Sequence, residues 1–281
     1  MAASQETKPP QISANDLVRE AVAREVAAAN QSHKHMFRSR KVTPKGTQTK
    51  LYVETNDAMA GMLIAINDQP LNPQQQQGEL NHLYWLSGNP EQLKKKHARE
   101  KEDADRTLRI VKALPDAFHF EYAGTETGAG AGKRADGLVQ LTFTPNPDYS
   151  PPSRLEQTLQ GMQGYVLVDT NARRIAKIDG TLFRDVSFGW GIIGHLDKGG
   201  HFVIQQSEVG DETWDITLMS LKITGKILLF KGLSMVSDET FSDFRPVPDD
   251  LSFVKGVEML KDEREKVAHA SDAAAEKKDL R

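Results

Sequence analysis

Two histidines, His195 and His201, are the residues whose types and spacing best suit chemistry, because they flank a predicted turn that contains Asp197. Two imidazoles and a carboxylate could form a weak metal site or an acid–base pair. The polar end of a β-hairpin explains the same residues, and we favour that interpretation. His33 and His35 have no third ligand nearby in the sequence. We therefore interpret them as a surface pair and predict neither a metal site nor a cofactor.

Other patterns that could support catalysis are weak. The glycine-rich segment 127–133 resembles a phosphate-binding loop, but Thr127 replaces the first glycine and Arg134 follows Lys133 where Ser or Thr is required. The segment also lies between two predicted strands, so no helix N-terminus would face a phosphate. No serine lies in a Gly-x-Ser-x-Gly elbow, and the chain has no cysteine. The sequence therefore predicts a protein that is not an enzyme.

Composition excludes several kinds of partner. The 281 residues include 36 Lys and Arg against 39 Asp and Glu, a net charge of −3, which gives no global field that would attract nucleic acid or an anionic membrane. No apolar run approaches the ~18 residues of a membrane span. Residues 1–10 lack the basic and apolar regions of a signal peptide and resemble the polar leader of a mature secreted protein. The absence of cysteine fits a periplasmic and a cytosolic location equally.

The order of patterns along the chain predicts one domain over 14–262, with a disordered leader over 1–13 and a charged tail over 263–281. An apolar stripe at helical spacing predicts an amphipathic first helix over 16–30. Two Asn-Pro pairs, each at the start of a helical pattern, predict a helical insertion over about 72–114. The other segments have the residue pattern of β-strands separated by turns.

The segment 162–236 is the clearest of these patterns and predicts an antiparallel β-meander. Several of its strands, such as 165–168 and 227–230, are apolar on both faces, so both faces must be covered by helices or by a ligand. Three glycines within 188–195 predict a sharp bend of the sheet. One apolar set is predicted to line the concave face and contact a hydrophobic ligand: Trp190, Ile192, Phe202, Ile204, Trp214, Ile216 and Leu218.

This arrangement resembles the LolA/RseB superfamily of periplasmic carriers and sensors. The residues that carry the resemblance are the helix 16–30, the hairpin 36–54, the segments 161–169 and 175–180, and the closing strands 214–222 and 225–233. The long charged insertion 72–114 and the glycine-rich block 188–195 depart from the superfamily pattern. We therefore interpret the chain as a separate branch, to which the identity of the cargo does not carry over.

The resemblance implies a mainly β fold, an open antiparallel half-barrel of about eleven strands with helices packed on the concave side. It also implies a non-enzymatic periplasmic carrier that binds a lipid, a lipoprotein acyl chain or another hydrophobic ligand. The alternative is an envelope sensor or protein-interaction module, in which helices of the chain itself fill the half-barrel and the charged helix 91–109 docks a partner. Expected partners are the hydrophobic ligand and envelope proteins, with no nucleic acid.

Overall fold

The computed structural model describes residues 12–31, 33–126, 137–188, 194–210, 212–227 and 231–279. Its helices are α1 (Ala14–Ala29), α2 (Pro73–Ser87), α3 (Pro90–Ala117), α4 (Arg154–Gln157) and α5 (Phe253–Asp279). Its strands are β1 (Lys34–Thr43), β2 (Gly46–Val53), β3 (Ala60–Ile66), β4 (Gln69–Pro70), β5 (Phe118–Glu126), β6 (Leu138–Pro145), β7 (Met162–Asp169), β8 (Arg174–Leu182), β9 (Val186–Phe188), β10 (Gly194–Leu196), β11 (His201–Gly210), β12 (Thr213–Ile227) and β13 (Lys231–Val247).

All thirteen strands belong to one sheet, and every described pair is antiparallel. Eleven of them follow one path in the order β4-β3-β2-β1-β13-β12-β11-β8-β7-β6-β5, and the short hairpin β9–β10 joins β12 through β10. The terminal strands β4 and β5 do not pair with each other, so the sheet is open. The predicted mainly β fold with an open antiparallel sheet of about eleven strands is confirmed.

The larger core lies where α1 packs on β5–β8, and we name this side of the sheet the α1 face. Ser13 caps the helix by accepting a hydrogen bond from the Asp16 N–H. Leu17, Val18 and Ala21 are then fully buried against apolar side chains of β5–β8 and the last turn of α3. This half of the sheet is therefore covered by helices of the chain itself.

A second core joins β1–β3 to α2 and α5. The cross-strand register places Met36, Leu51 and Met62 on the side opposite to the α1 face, and we name that side the α5 face. Val257 and Leu260 of α5 are fully buried in this core. The helix continues to Asp279 through the segment 263–281 that we predicted as a charged tail, because the Ala, Glu and Lys of this segment favour helix.

The helix α3 connects the two cores, and its middle turns pack against neither of them. Every residue over 101–107 is exposed to solvent. Ion pairs one turn apart stabilise this stretch, such as Lys101 with Asp105 and Arg106 with Glu102. None of the described helices is both long and apolar enough to cross a membrane.

Candidate ligand-binding site

An apolar strip extends the α1 face beyond the part that α1 covers. On β11, Phe202 lies opposite Leu221 and Ile204 lies opposite Met219 of β12. The Phe202 ring lies over Gly180 of β8, where a Cβ atom would come within 2.5 Å of the ring. This contact places the strip on the same face as the α1 core. All four strip residues are only half-buried, and none belongs to a helix-covered core.

Aromatic residues occupy the same face farther along the sheet, on β1, β2 and β13. The Phe37 ring stacks on Tyr52 and on Phe244, each at 5.4 Å between centroids, and meets Phe241 edge-on at 6.1 Å. Phe37 is only 8% exposed. The apolar strip and this aromatic cluster therefore form two apolar regions of one face.

A small polar cluster separates these two apolar regions. Glu239 of β13 lies opposite Met219 and is 9% exposed. Its carboxylate accepts a hydrogen bond from the Ser39 hydroxyl at 2.5 Å and pairs with the Lys41 ammonium at 2.9 Å. The buried charge is thus neutralised by its own neighbours.

Five of the seven predicted lining residues lie within the described part of the chain. Phe202 and Ile204 belong to the apolar strip, and their contact with a ligand stays a prediction. Leu218 does not, because it lies opposite Gln205 on the α5 face. Trp190 and Ile192 lie outside the described residues.

A β-bulge explains why Leu218 was assigned to the wrong face. Gln205 pairs with Leu218 but Gln206 pairs with Ile216, so Thr217 is an extra residue in β12. An extra residue reverses the alternation of side chains beyond it. The sequence pattern 214, 216, 218 was extended across the bulge as one face, which concealed Met219 and Leu221 as the true continuation.

A cavity of about 770 Å³ adjoins this bulge. It lies between the C-terminal half of α1, the start of β1 and the β11–β12 hairpin, and Trp214 and Ile216 are part of its wall. Trp214 also packs against the small apolar cluster Leu138, Leu167 and Ala176. Unlike the apolar strip, the cavity is mostly polar, and its central side chains are Glu25, His35, Glu54, Arg174, Gln206 and Asp215.

Glu25 of α1 organises one wall of this polar cavity. Its carboxylate accepts two hydrogen bonds from the Arg174 guanidinium at 2.9 and 2.8 Å, one from the Ile175 N–H at 3.1 Å and one from the Gln206 amide at 2.8 Å. Both charged side chains are largely buried, at 12% and 14% exposure. This two-bond pair holds α1 on β8 and β11 and leaves Arg174 without spare charge.

Glu54 and Asp215 supply two further carboxyl groups to the cavity. Burial, followed by the charge of Asp215, raises the pKa of Glu54 to about 7, against the lowering effects of the His35 N–H bond and of Lys34. Burial also raises the pKa of Asp215, although the Ile216 N–H donates to it. The 32% of the Glu54 side chain that remains exposed is part of the cavity wall. Near neutral pH, a fraction of Glu54 therefore carries a proton.

The position of His35 differs from our prediction of a surface histidine pair. We interpreted His33 and His35 as a surface pair, but His35 is 5% exposed and its ring meets Phe244 edge-on at 6.2 Å. Its Nδ1 atom lies 4.0 Å from the Glu54 carboxylate. The strand period explains the burial, because His35 shares the α1 face with Phe37.

His195 and His201 each contact a separate aspartate. His195 Nε2 lies 3.1 Å from Asp197, and His201 Nε2 lies 2.8 Å from Asp179. Asp179 also accepts a hydrogen bond from the Tyr165 hydroxyl at 3.1 Å. Within the described ranges, no group of three or more His, Asp or Glu side chains could hold a metal ion.

Comparisons with protein-family models, curated proteins and solved structures found no match to this chain. Membership of the LolA/RseB superfamily therefore stays a prediction from the residue patterns.

Proposed function

We propose that this chain is a non-enzymatic binding protein for an amphipathic ligand, such as a lipid or an acylated molecule. The apolar chain of the ligand would lie on the apolar strip of Phe202, Ile204, Met219 and Leu221, and its polar group would occupy the adjoining cavity. One observation carries the proposal: the apolar α1 face continues past the helix-covered core and ends beside a polar cavity.

Burial of the ligand's apolar chain on the strip would supply most of the binding affinity. Removing apolar surface from water contributes ~25 cal/mol per Å², or ~0.8 kcal/mol per methylene group. An acyl segment of about six methylenes on the strip would contribute ~5 kcal/mol before the entropic costs of binding. The polar cavity would add hydrogen bonds that choose among headgroups more than they add affinity.

The location that accompanies this proposal is the bacterial periplasm, as the superfamily resemblance implies. A carrier of this kind would take up its ligand without changing it chemically. Fractionation of the native host tests the location: recovery in the cytosol would contradict the carrier role between membranes, although not ligand binding itself.

A self-filled interaction module is the alternative, and the α1 core favours it for one half of the sheet. There, Leu17, Val18 and Ala21 occupy the surface that a ligand would need. Among the described residues, the half-buried strip on β11 and β12 is the part for which this alternative provides no occupant.

Paired substitutions on opposite faces of neighbouring strands test the proposal. Ile204→Glu places a charge on the strip, whereas Leu218→Glu places the same charge on the α5 face, close by in the same sheet. We expect Ile204→Glu to weaken uptake of a fluorescent fatty acid at least tenfold, since one desolvated charge costs more than about 1.4 kcal/mol. Leu218→Glu should bind as the unaltered chain does.

Circular dichroism must show both variants folded for the comparison to be valid. Equal losses in the two variants would refute the assignment of the binding face. If the unaltered chain takes up no fatty acid and native mass spectrometry of protein from the envelope shows no bound lipid, the interaction module replaces the carrier.

A further inference from the structure

A second cavity, of about 470 Å³, lies where α2 meets α3 beside the strands β2 and β3. It shares no lining residue with the polar cavity of the ligand-binding site. Among the side chains in its wall are four cations and two acids: Lys50, Lys95, Lys96, Arg99, Glu100 and Asp103. We name this feature the basic cavity.

The two acids of the basic cavity are already engaged. Glu100 binds the Lys96 ammonium at 2.6 Å and accepts a hydrogen bond from the Met59 N–H at 3.0 Å. Asp103 accepts a hydrogen bond from the Arg106 guanidinium at 3.1 Å. Arg106 also pairs with Glu102, so its single charge is divided between two carboxylates. Lys96 neutralises Glu100, and Asp103 is neutralised only in part, so Lys50, Lys95 and Arg99 still leave the cavity with a net positive charge.

The side chains of three of the four cations, Lys50, Lys95 and Arg99, form no ion pair or hydrogen bond with any residue that the structure describes. Like charges that share one concave site repel each other, and an anion between them removes that repulsion. Arg and Lys donate well to phosphate oxygens, and the guanidinium of Arg99 can bind two of them at once. The cavity is therefore suited to a phosphate group.

An exposed tryptophan lies next to the basic cavity. Trp85, near the end of α2, is 50% exposed, and its ring stacks on His82 at 6.1 Å with an interplanar angle of 19°. His82 itself lines the basic cavity, so the aromatic pair and the cations form one surface. Tyr84 on the same helix is 41% exposed.

We propose that this surface docks the protein on an anionic lipid bilayer, with lipid phosphates in the basic cavity and Trp85 at the level of the headgroups. Tryptophan is enriched at the interface between lipid and water, where its apolar ring and polar N–H are both accommodated. A soluble phosphate compound would give Trp85 no such role. The inference stands apart from the proposed ligand site, because it uses no residue of the apolar strip or of the polar cavity.

Flotation of the full chain with vesicles tests the inference. We expect the protein to float with phosphatidylcholine vesicles that contain phosphatidylglycerol and to stay unbound with phosphatidylcholine alone. Each Lys or Arg near an anionic surface strengthens binding by about fivefold, so the double variant Lys95→Gln, Arg99→Gln should lose roughly 25-fold in partition coefficient. Lys112→Gln and Lys198→Gln together remove the same charge from exposed sites elsewhere and should lose much less.

The aromatic part of the surface has its own test. Trp85→Ala removes the interfacial ring at a half-exposed position, so we expect a folded variant, checked by circular dichroism, with weaker binding to the anionic vesicles. Equal losses in the two charge variants would mean that net charge alone is responsible and would overturn the inference. Calorimetry that detects binding of inorganic phosphate, together with vesicles that do not bind, would also overturn it, since that result indicates a site for a free anion.

Fatty-acid uptake separates this inference from the proposed function. The Lys95→Gln, Arg99→Gln variant should keep its uptake, and Ile204→Glu should keep its vesicle binding. Loss of vesicle binding in Ile204→Glu would show that docking requires the ligand site, against the inference.

Discussion

The unusual pKa of Glu54 makes the stability of the protein depend on pH in a direction that can be worked out from the structure. The pKa rises from 4.5 to about 7 on folding, so the folded chain binds a proton that the unfolded chain releases. The contribution of this proton to the free energy of unfolding is complete below pH 4.5 and is lost as pH rises through about 7. Most carboxylates that matter for stability act in the opposite direction, because they are paired when folded.

The size of the effect follows from the same shift. A change from 4.5 to about 7 corresponds to ~3.4 kcal/mol at 1.36 kcal/mol per pKa unit. The 32% exposure of the side chain brings screening by solvent, so we expect ~1–2 kcal/mol in practice. Glu54→Gln keeps an oxygen that can accept the His35 N–H bond but has no proton to lose. Its free energy of unfolding should therefore lack this part of the pH dependence.

Urea unfolding of both chains at pH 5 and pH 8 measures the difference directly. From pH 5 to pH 8, the free energy of unfolding of the unaltered chain should fall by ~1–2 kcal/mol more than that of Glu54→Gln. Asp215→Asn offers an internal check, because removing the Asp215 charge should lower the pKa of Glu54 and shrink the difference. Parallel pH profiles for the unaltered chain and Glu54→Gln would refute the reasoning.

Two further predictions concern how the sheet and α1 are held together. Gly164→Ala would place a Cβ atom 1.9 Å from the Asp179 carbonyl oxygen of the adjacent strand, so we expect its free energy of unfolding in urea to fall by ~2–3 kcal/mol. Gly78→Ala is the control, because it lies in α2 with open space around it and should raise the free energy of unfolding by ~1 kcal/mol; equal effects of the two changes would contradict the close approach at Gly164. Glu25→Gln leaves the Arg174 charge unpaired in a largely buried site and should cost ~2 kcal/mol, whereas no change in stability would show that the pair does not hold α1 in place.

The sequence pattern predicted elements better than it predicted faces. An apolar stripe at helical spacing locates α1 and two Asn-Pro pairs locate α2 and α3, because these signals act within a few residues to a few turns. The bulge at Thr217 has no such local signal, since it depends on the register between β11 and β12. One extra residue was enough to move Leu218 to the α5 face and to conceal Met219.

The polar cavity was missed for a related reason. Glu54 and Asp215 carry carboxylates, which are usually exposed to solvent, and their neighbours in the sequence are ordinary strand residues. Their burial arises only when β12, which is distant in the chain, comes to lie beside α1, β1 and the end of β2 at one end of the sheet. The strand period offered the one available clue, which was that His35 alternates with Phe37 on a buried face.

The position of β13 in the sheet has a consequence for how the protein is made. The register joins β1 to β13, for example Met36 to Arg245, so the first strands enter the sheet only beside the last one. At a synthesis rate of about 5–20 residues per second, roughly 10–40 s pass between the synthesis of β1 and that of β13. Over that interval its backbone hydrogen-bonding groups on that side are available to other chains. We therefore expect this edge of the nascent protein to need protection from other chains until β13 has left the ribosome.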